Sequence, residues 1–361
     1  MNFFFRCDAS ISIGSGHVMR CLTLAKLLKN KGESCRFLCK NLDGNLIQFI
    51  KRSGYDVDVI EPEINFQNNE FYHSSWLQST QEYDAKQCLR FIQGSDRNNN
   101  IVIVDHYALS QSWENIIRSV SHKMIAIDDL ADRKHHVELL IDSGLSRKDK
   151  DYDGLVNETC QLLIGVKFVP LRPEFTYFHK LATKIRNPND IKKILINLGG
   201  VDKDNLTSKI LQILENDYNK KDVIFDVILG ATSPWIESIQ KMTKNMKNKI
   251  NIHVGVSNIH EFMLNADIAI GAAGSTSWER CCLGLPTVLI CIAQNQIQLA
   301  NDLDQLGVAK MLKSENLEEG LILKIQELSS MRLREMSQRC FQLIDGQGAN
   351  RILSAIELLY R

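Results

Sequence analysis

Short apolar runs such as Phe3-Phe4-Phe5, Ile101-Val102-Ile103-Val104 and residues 124–127 alternate along this chain with longer stretches whose apolar residues recur at helical spacing. A continuous apolar run suits a strand covered on both faces, and a helix between successive strands makes them run parallel through right-handed crossovers. The expected class is therefore α/β. The rhythm occurs twice, with strands at 35–39 and 57–60 completing the first half and strands at 194–198, 223–229, 250–254, 267–270 and 287–292 the second. A chain of 361 residues is long for one domain and comfortable for two. We expect residues 1–182 and 183–361 to form two Rossmann-like domains, with room for the last helix, 349–359, to cross back onto the first.

The most informative local signal lies just behind the first strand. Arg6-Cys7-Asp8-Ala9-Ser10 leads through Ser12 to Gly14-Ser15-Gly16-His17, where an amphipathic helix opens with Val18, Met19, Leu22, Ala25 and Leu28 at helical spacing. Glycines let the backbone approach a ligand or take positive φ, and a helix N-terminus offers unpaired N–H groups to an anion. His17 falls in the first turn, where the helix dipole disfavours imidazolium, and neutral imidazole is the form a general base needs. The plainer alternative is a tight strand-to-helix connection with His17 beside the cap. A dinucleotide fingerprint is disfavoured, because Met19 and Arg20 stand where its third glycine belongs.

A second glycine-rich stretch, Gly271-Ala272-Ala273-Gly274-Ser275-Thr276-Ser277-Trp278-Glu279, again follows a strand and opens a helix. Its N–H groups, the dipole and the hydroxyls of Ser275 and Thr276 suit a diphosphate, and Glu279, a turn further in, can accept from ribose hydroxyls. The alternative is a close-packed turn with Ser275 as N-cap and Glu279 complementing the dipole. Gly200, in Gly199-Gly200-Val201-Asp202, and the amides of Asn295 and Gln296 are expected at the same cleft.

Asp105-His106-Tyr107 end the strand at 101–104, at the carboxyl end where open parallel sheets bind ligands. Asp105 and Tyr107 are thus candidates, a helix cap being the alternative for Asp105. Asp128-Asp129 and His135-His136 have the composition of a metal site, but successive residues of an extended chain point to opposite sides. No metal and no cofactor is expected.

Hydrophobic content of 44%, charged content of 24% and zero formal net charge describe an ordinary soluble protein without a basic field for nucleic acid or anionic membrane. The ten cysteines include no CxxC pair, as expected of reduced thiols in a cytoplasmic protein. No apolar run reaches the roughly 18 residues that suggest a membrane span. A monomer acting on a small molecule is the expectation.

These segments together resemble a family, the UDP-sugar hydrolases of pseudaminic acid biosynthesis, which act on UDP-2,4-diacetamido-2,4,6-trideoxy-β-L-altropyranose. The matching stretches are Arg6 to Ser10 with Gly14-Ser15-Gly16-His17 and Arg20, Trp76-Leu77 with Asp84-Ala85, Asp105-His106-Tyr107, Ile127-Asp128-Asp129-Leu130-Ala131-Asp132-Arg133, Leu171-Arg172-Pro173-Glu174-Phe175, Gly199-Gly200-Val201-Asp202 with Asn205, Gly271 to Glu279, and Asn295-Gln296. The resemblance implies a fold similar to the MurG-type glycosyltransferases of the two-domain GT-B class, whose domains face one another across a cleft. It also implies His17 as catalytic base, Tyr107 and Asn295 as ligand contacts, and a reaction without metal. Asp142-Ser143-Gly144 departs from the amide-rich segment expected in relatives, a sugar-side detail. The full substrate-binding expectation is Asp8, Ser12, Gly14, Gly16, Arg20, Asp105, Tyr107, Gly200, Gly274, Ser275, Thr276, Glu279, Asn295 and Gln296. The expected reaction releases UDP and the free sugar by inverting attack of water at the anomeric carbon. A GT-B glycosyltransferase with another acceptor is the alternative.

Overall fold

The computed structural model of the chain describes residues 1–63, 72–218, 220 and 222–360, apart from the side chain of Asn295. Two compact units are present, Met1–Pro173 with Gln347–Arg361, and Glu174–Gly346. In the first, β1 (Asn2–Cys7), β2 (Ser34–Lys40), β3 (Asp56–Ile60), β4 (Asn100–Asp105), β5 (Lys123–Ile127), β6 (Leu139–Asp142) and β7 (Gln161–Ile164) form one sheet in the order β3-β2-β1-β4-β5-β6-β7. Every pairing is parallel. The helices α1 (Gly16–Asn30), α2 (Ile47–Arg52), α3 (Gln81–Ile92) and α4 (Gln111–Ile117) lie between these strands in the chain.

The second unit repeats the plan. It starts with α5 (Pro173–Ile185), followed by β8 (Lys193–Asn197), α6 (Leu206–Asp217), β9 (Ile224–Leu229), α7 (Ile236–Thr243), β10 (Lys249–Val254), α8 (Ile259–Asn265) and β11 (Ile268–Ala272). Then come α9 (Ser275–Cys282), β12 (Thr287–Cys291), α10 (Ile297–Gln305), β13 (Ala309–Lys313), α11 (Leu317–Gln326) and α12 (Ser330–Leu343). Its sheet runs β10-β9-β8-β11-β12-β13. Strand order therefore reverses between β1 and β4 in one sheet and between β8 and β11 in the other, and the carboxyl ends at such reversals are where doubly wound sheets take ligands.

The boundary differs from the one expected at residue 182. The helix α5 belongs to the second unit, because His179 Nδ1 bonds the Cys282 carbonyl at 2.7 Å and the Thr176 hydroxyl donates to the Gly346 carbonyl at 2.6 Å. The last helix, α13 (Gly348–Tyr360), is part of the first unit: Ile352, Leu353, Ala355 and Ile356 share a core with Phe3, Phe5, Val18 and Leu24. Three strands, β6, β7 and β13, had no counterpart in the sequence reading. β6 and β7 have four residues each, too short for a period to register, and β13 is an edge strand bounded by Lys313. Part of the long polar stretch at 61–79 lies outside the described residues, and Ser74–Trp76 within it is a single 3-10 turn.

The alternation of β1 sends Phe3, Phe5 and Cys7 into the α1 layer and Phe4 into the α3 and α4 layer. Arg6 follows Phe4 to that side and is fully buried. Its Nε and Nη2 donate to the two oxygens of Asp84 at 2.9 and 2.7 Å, and its Nη1 donates to Asp8 at 2.7 Å. Lys40 Nζ stands 3.1 Å from Asp84, and Trp113 Nε1 donates to the same carboxylate at 2.9 Å. Burial by itself raises the pKa of Asp84, but the charges of Arg6 and Lys40 outweigh it and hold it at about 2. A carboxylate depressed in the folded state contributes stability that is present above its ordinary value and lost as pH falls through its folded value. Stability should accordingly fall between about pH 4 and pH 2. Asp84→Asn should cost about 3–5 kcal/mol in urea unfolding, as removal of one partner from a buried ion cluster does. A variant as stable as the parent would show that this cluster is not what holds the first sheet.

Candidate active site

Behind β1 the chain turns sharply. Gly14 N donates to the Ser10 carbonyl at 2.8 Å with Gly14 at φ +79°, a left-handed conformation that favours glycine. The Ser10 hydroxyl accepts from Ile13 N at 3.0 Å and lies 3.0 Å from the Ser12 hydroxyl. Helix α1 then begins at Gly16, without a side-chain cap from Ser15, and His17 falls in its first turn.

The end of β4 meets that turn. Asp105, paired in register with Cys7 and fully buried, lies 2.6 Å from His17 Nδ1. Arg20, one turn along α1, donates to the same carboxylate through Nε at 2.5 Å and Nη2 at 2.6 Å. Its Nη1 reaches Asp129 at 2.6 Å, and Asp129 also accepts from the Tyr107 hydroxyl at 2.5 Å. Burial raises the pKa of Asp105, but Arg20 and His17 outweigh that and hold it well below the usual carboxylate range. An ionised Asp105 accepts the Nδ1 proton of His17, which fixes the tautomer and leaves Nε2 as the basic nitrogen.

An aromatic wall stands beside this base. The Tyr107 ring meets the His17 ring edge-on at 4.6 Å, Trp76 stacks on Tyr107 at 5.8 Å, and His73 packs at 4.4 Å from Trp76. Burial pushes the Tyr107 phenol well above its ordinary pKa, so it remains a donor to Asp129. Such rings offer an apolar face with a polar edge.

Two of the residues expected to contact ligand are enclosed by the fold. Asp8 is fully buried; it accepts from Arg6 and from Lys40 N at 2.6 Å, and His106 Nε2 is 3.3 Å away. Asp105 neither faces solvent nor caps a helix, because the centre of the sheet encloses it and its oxygens are taken by His17 and Arg20. The acid and histidine groups with metal-like composition also have definite partners. Asp128 accepts from Arg133 at 2.8 Å and the Tyr152 hydroxyl at 2.9 Å, Asp129 is held by Arg20 and Tyr107, His135 pairs with Glu114 at 2.7 Å, and His136 with Asn115 at 2.7 Å. Asp142, at the departure from the family pattern, accepts from Gly144 N at 2.7 Å and lies 2.8 Å from the Tyr152 hydroxyl, whose one proton it shares with Asp128, and burial with the nearby Asp129 charge pushes its pKa up to about 6.

In the second unit, Gly274 stands at the cap position of α9 and exposed Ser275 is the first helical residue, so Ser275 is not the N-cap. Glu279 lies one turn on, partly buried. Gly200 follows β8 and packs so closely on the next loop that a Cβ on Gly230 would lie 1.9 Å from its carbonyl oxygen. Asp202 steadies that loop by accepting from Leu206 N and Thr207 N, each at 2.9 Å. Gln296 spends its side-chain oxygen on Ile292 N at 3.0 Å, so it shapes its own turn. Asn295 lies in the same turn, Gln294–Gln296.

The fold is that of the MurG-like GT-B glycosyltransferases. MurG of Acinetobacter baumannii matches with a TM-score of 0.65 at 14% identity, over 98% of each chain. Residues 194–352 match the glycosyltransferase family 28 C-terminal domain. In sequence, the chain is 27% identical over 85% of its length, and 97% of the relative, to UDP-2,4-diacetamido-2,4,6-trideoxy-beta-L-altropyranose hydrolase of Campylobacter jejuni. It is also 23% identical, over 84% of its length, to 47% of a Helicobacter pylori protein named pseudaminic acid cytidylyltransferase and UDP-2,4-diacetamido-2,4,6-trideoxy-beta-L-altropyranose hydrolase. The resemblance drawn from the motifs is the one these relatives return. Among the described residues no helix is long and apolar enough to cross a membrane.

The pairing of Asp105 with His17 makes a direct prediction. Asp105→Asn keeps the shape but can present an N–H to Nδ1 and stabilise the wrong tautomer, so UDP release from a UDP-sugar should slow about 100- to 10,000-fold while UDP binding is retained. Undiminished turnover would remove the carboxylate from the mechanism.

Proposed function

We propose that this protein hydrolyses a UDP-activated 2,4-diacetamido-6-deoxy sugar, of the UDP-2,4-diacetamido-2,4,6-trideoxy-β-L-altropyranose type, as a step in pseudaminic acid biosynthesis. The observation that carries the reading is the buried Asp105–His17 pair at the strand-order reversal of the first sheet. Similarity to hydrolases named for this substrate supports the choice of sugar.

In this reaction His17 Nε2 takes a proton from water as the water oxygen bonds to the anomeric carbon. The bond from that carbon to the β-phosphate oxygen breaks, and UDP leaves with the electron pair. Asp105 stabilises the imidazolium that forms, and Arg20 keeps the Asp105 carboxylate ionised and fixed. Tyr107 and Trp76 receive the apolar parts of the sugar. The N–H groups of the first turn of α9, with the hydroxyls of Ser275 and Thr276, take the diphosphate, and Glu279 takes the ribose. The chain's own base activates the water, so no step is assigned to a metal.

Transfer of the sugar to an acceptor other than water is the second reading, favoured by the glycosyltransferase fold of the structural neighbours. Incubation of the purified protein with the UDP-sugar and no acceptor separates the two. Hydrolysis should release UDP and, in oxygen-18 water, label the free sugar at its anomeric oxygen with inverted configuration, provided it is analysed before exchange. His17→Asn should bind UDP normally and lose about 100- to 10,000-fold in rate. Label in UDP would place attack at phosphorus, and turnover only with an added acceptor would favour the transferase.

A further inference from the structure

The loop ahead of α9 has a cation built in behind it. Arg280 is 2% exposed, and its guanidinium turns back over the first turn of its own helix. Nη2 donates to the Ala272 carbonyl at 2.7 Å and to the Ser277 hydroxyl at 3.2 Å, and Nη1 donates to the Thr276 hydroxyl at 3.3 Å. Its Nε is buried and has no hydrogen-bond partner. The space is made by Gly271, where a Cβ would come within 2.4 Å of Arg280 Nη1.

Charge balance makes this placement unusual. The buried guanidinium groups of Arg6 and Arg133 face carboxylates at 2.7 and 2.8 Å. Arg186 lies on the carbonyls of Met263, Leu264 and Ala266, at the negative end of the α8 dipole. Arg280 differs from these: among the described residues it makes no ion pair, the acid whose charge acts on it is its chain neighbour Glu279, and from the last turn of α9 its side chain reaches back to the positive end of the helix dipole. Burial lowers its pKa to about 10, which leaves it protonated at neutral pH. The buried guanidinium and the positive end of the helix dipole thus lie together behind the partly exposed first turn, an arrangement that favours an anion there.

We propose that Arg280 is the positioning residue for the nucleotide diphosphate, a buried counter-charge that acts through the hydroxyls of Thr276 and Ser277. The inference rests on the UDP-sugar reading and adds to it a residue outside the expected contact set. Because the Thr276 oxygen accepts from Arg280, its own hydrogen is left to donate outward, so the cation both supplies charge and orients a donor toward a phosphate oxygen. The same hydrogen bonds hold Ala272, Thr276 and Ser277 in one cradle, with Gly274 N donating to the Ser277 hydroxyl at 3.2 Å.

Calorimetric titration of UDP and of uridine into the full-length protein, Arg280→Met and Arg280→Lys tests this. Arg280→Met should lower UDP affinity about 10- to 100-fold and leave uridine binding unchanged, and Arg280→Lys should recover part of the difference. Equal losses for UDP and uridine, or no loss for UDP, would overturn the proposal in favour of a purely structural arginine. Should Arg280→Met fail to fold, Thr276→Val carries the same test, with the UDP-to-uridine affinity ratio expected to shrink. If the parent protein binds neither UDP nor uridine, the nucleotide reading fails. Inorganic pyrophosphate then decides the anion role: it should raise the melting temperature of the parent and not of Thr276→Val, and no rise in the parent overturns it.

Discussion

A guanidinium inside a sheet is the constraint from which the first unit is arranged. Arg6 sits in β1, an interior strand of its sheet, with no access to water, so every donor it carries must find an acceptor nearby. Asp84 from α3 and Asp8 from the loop after β1 supply carboxylates, and Trp113 from α4 and Lys40 from β2 close around them. The cluster thereby fixes two helices and two strands against one another on one face of the sheet. It also fixes where the chain leaves β1, and with it the turn that presents His17.

The site above this cluster is organised by a second buried carboxylate. Asp105 takes three nitrogen donors from His17 and Arg20, a turn apart on α1, and a fourth donor from the Cys21 thiol, and so ties the tip of β4 to the start of α1. Arg20 extends the chain of contacts to Asp129 and from there to Tyr107, which packs back on His17. Orientation of the imidazole, ionisation of its partner and placement of the aromatic wall are therefore one connected arrangement. Asp8 and Asp105, acids that look like ligand contacts in the sequence, are buried here against Arg6, His17 and Arg20.

The two glycine-rich turns differ in charge, although both join a strand to a helix. The turn ahead of α1 leads to an imidazole backed by a carboxylate, which suits moving a proton. The turn ahead of α9 is backed by the Arg280 guanidinium with no paired acid among the described residues, which suits holding an anion. A shared local geometry is thus given distinct chemistry by a single buried side chain behind each turn.

The periodicity of apolar runs was enough to read the α/β class, the twofold rhythm and the positions of both glycine-rich turns, because strand and helix periods and the need for small residues at close turns are local properties. The place of His17 in the first turn of α1 was legible for the same reason: one turn of helix decides which end of the dipole it meets. The short strands β6 and β7 were not legible, since four residues carry no period and only pairing with neighbours makes them strands. Nor could the roles of Asp8, Asp105 and Arg280 be read locally. Each depends on partners that the fold brings together, Arg6 with Asp84, His17 with an acid 88 positions away, or a guanidinium folded back on its own loop. Local sequence sets what each segment can form, whereas burial and the matching of charge to charge, which require the assembled sheet, decide what each polar side chain does.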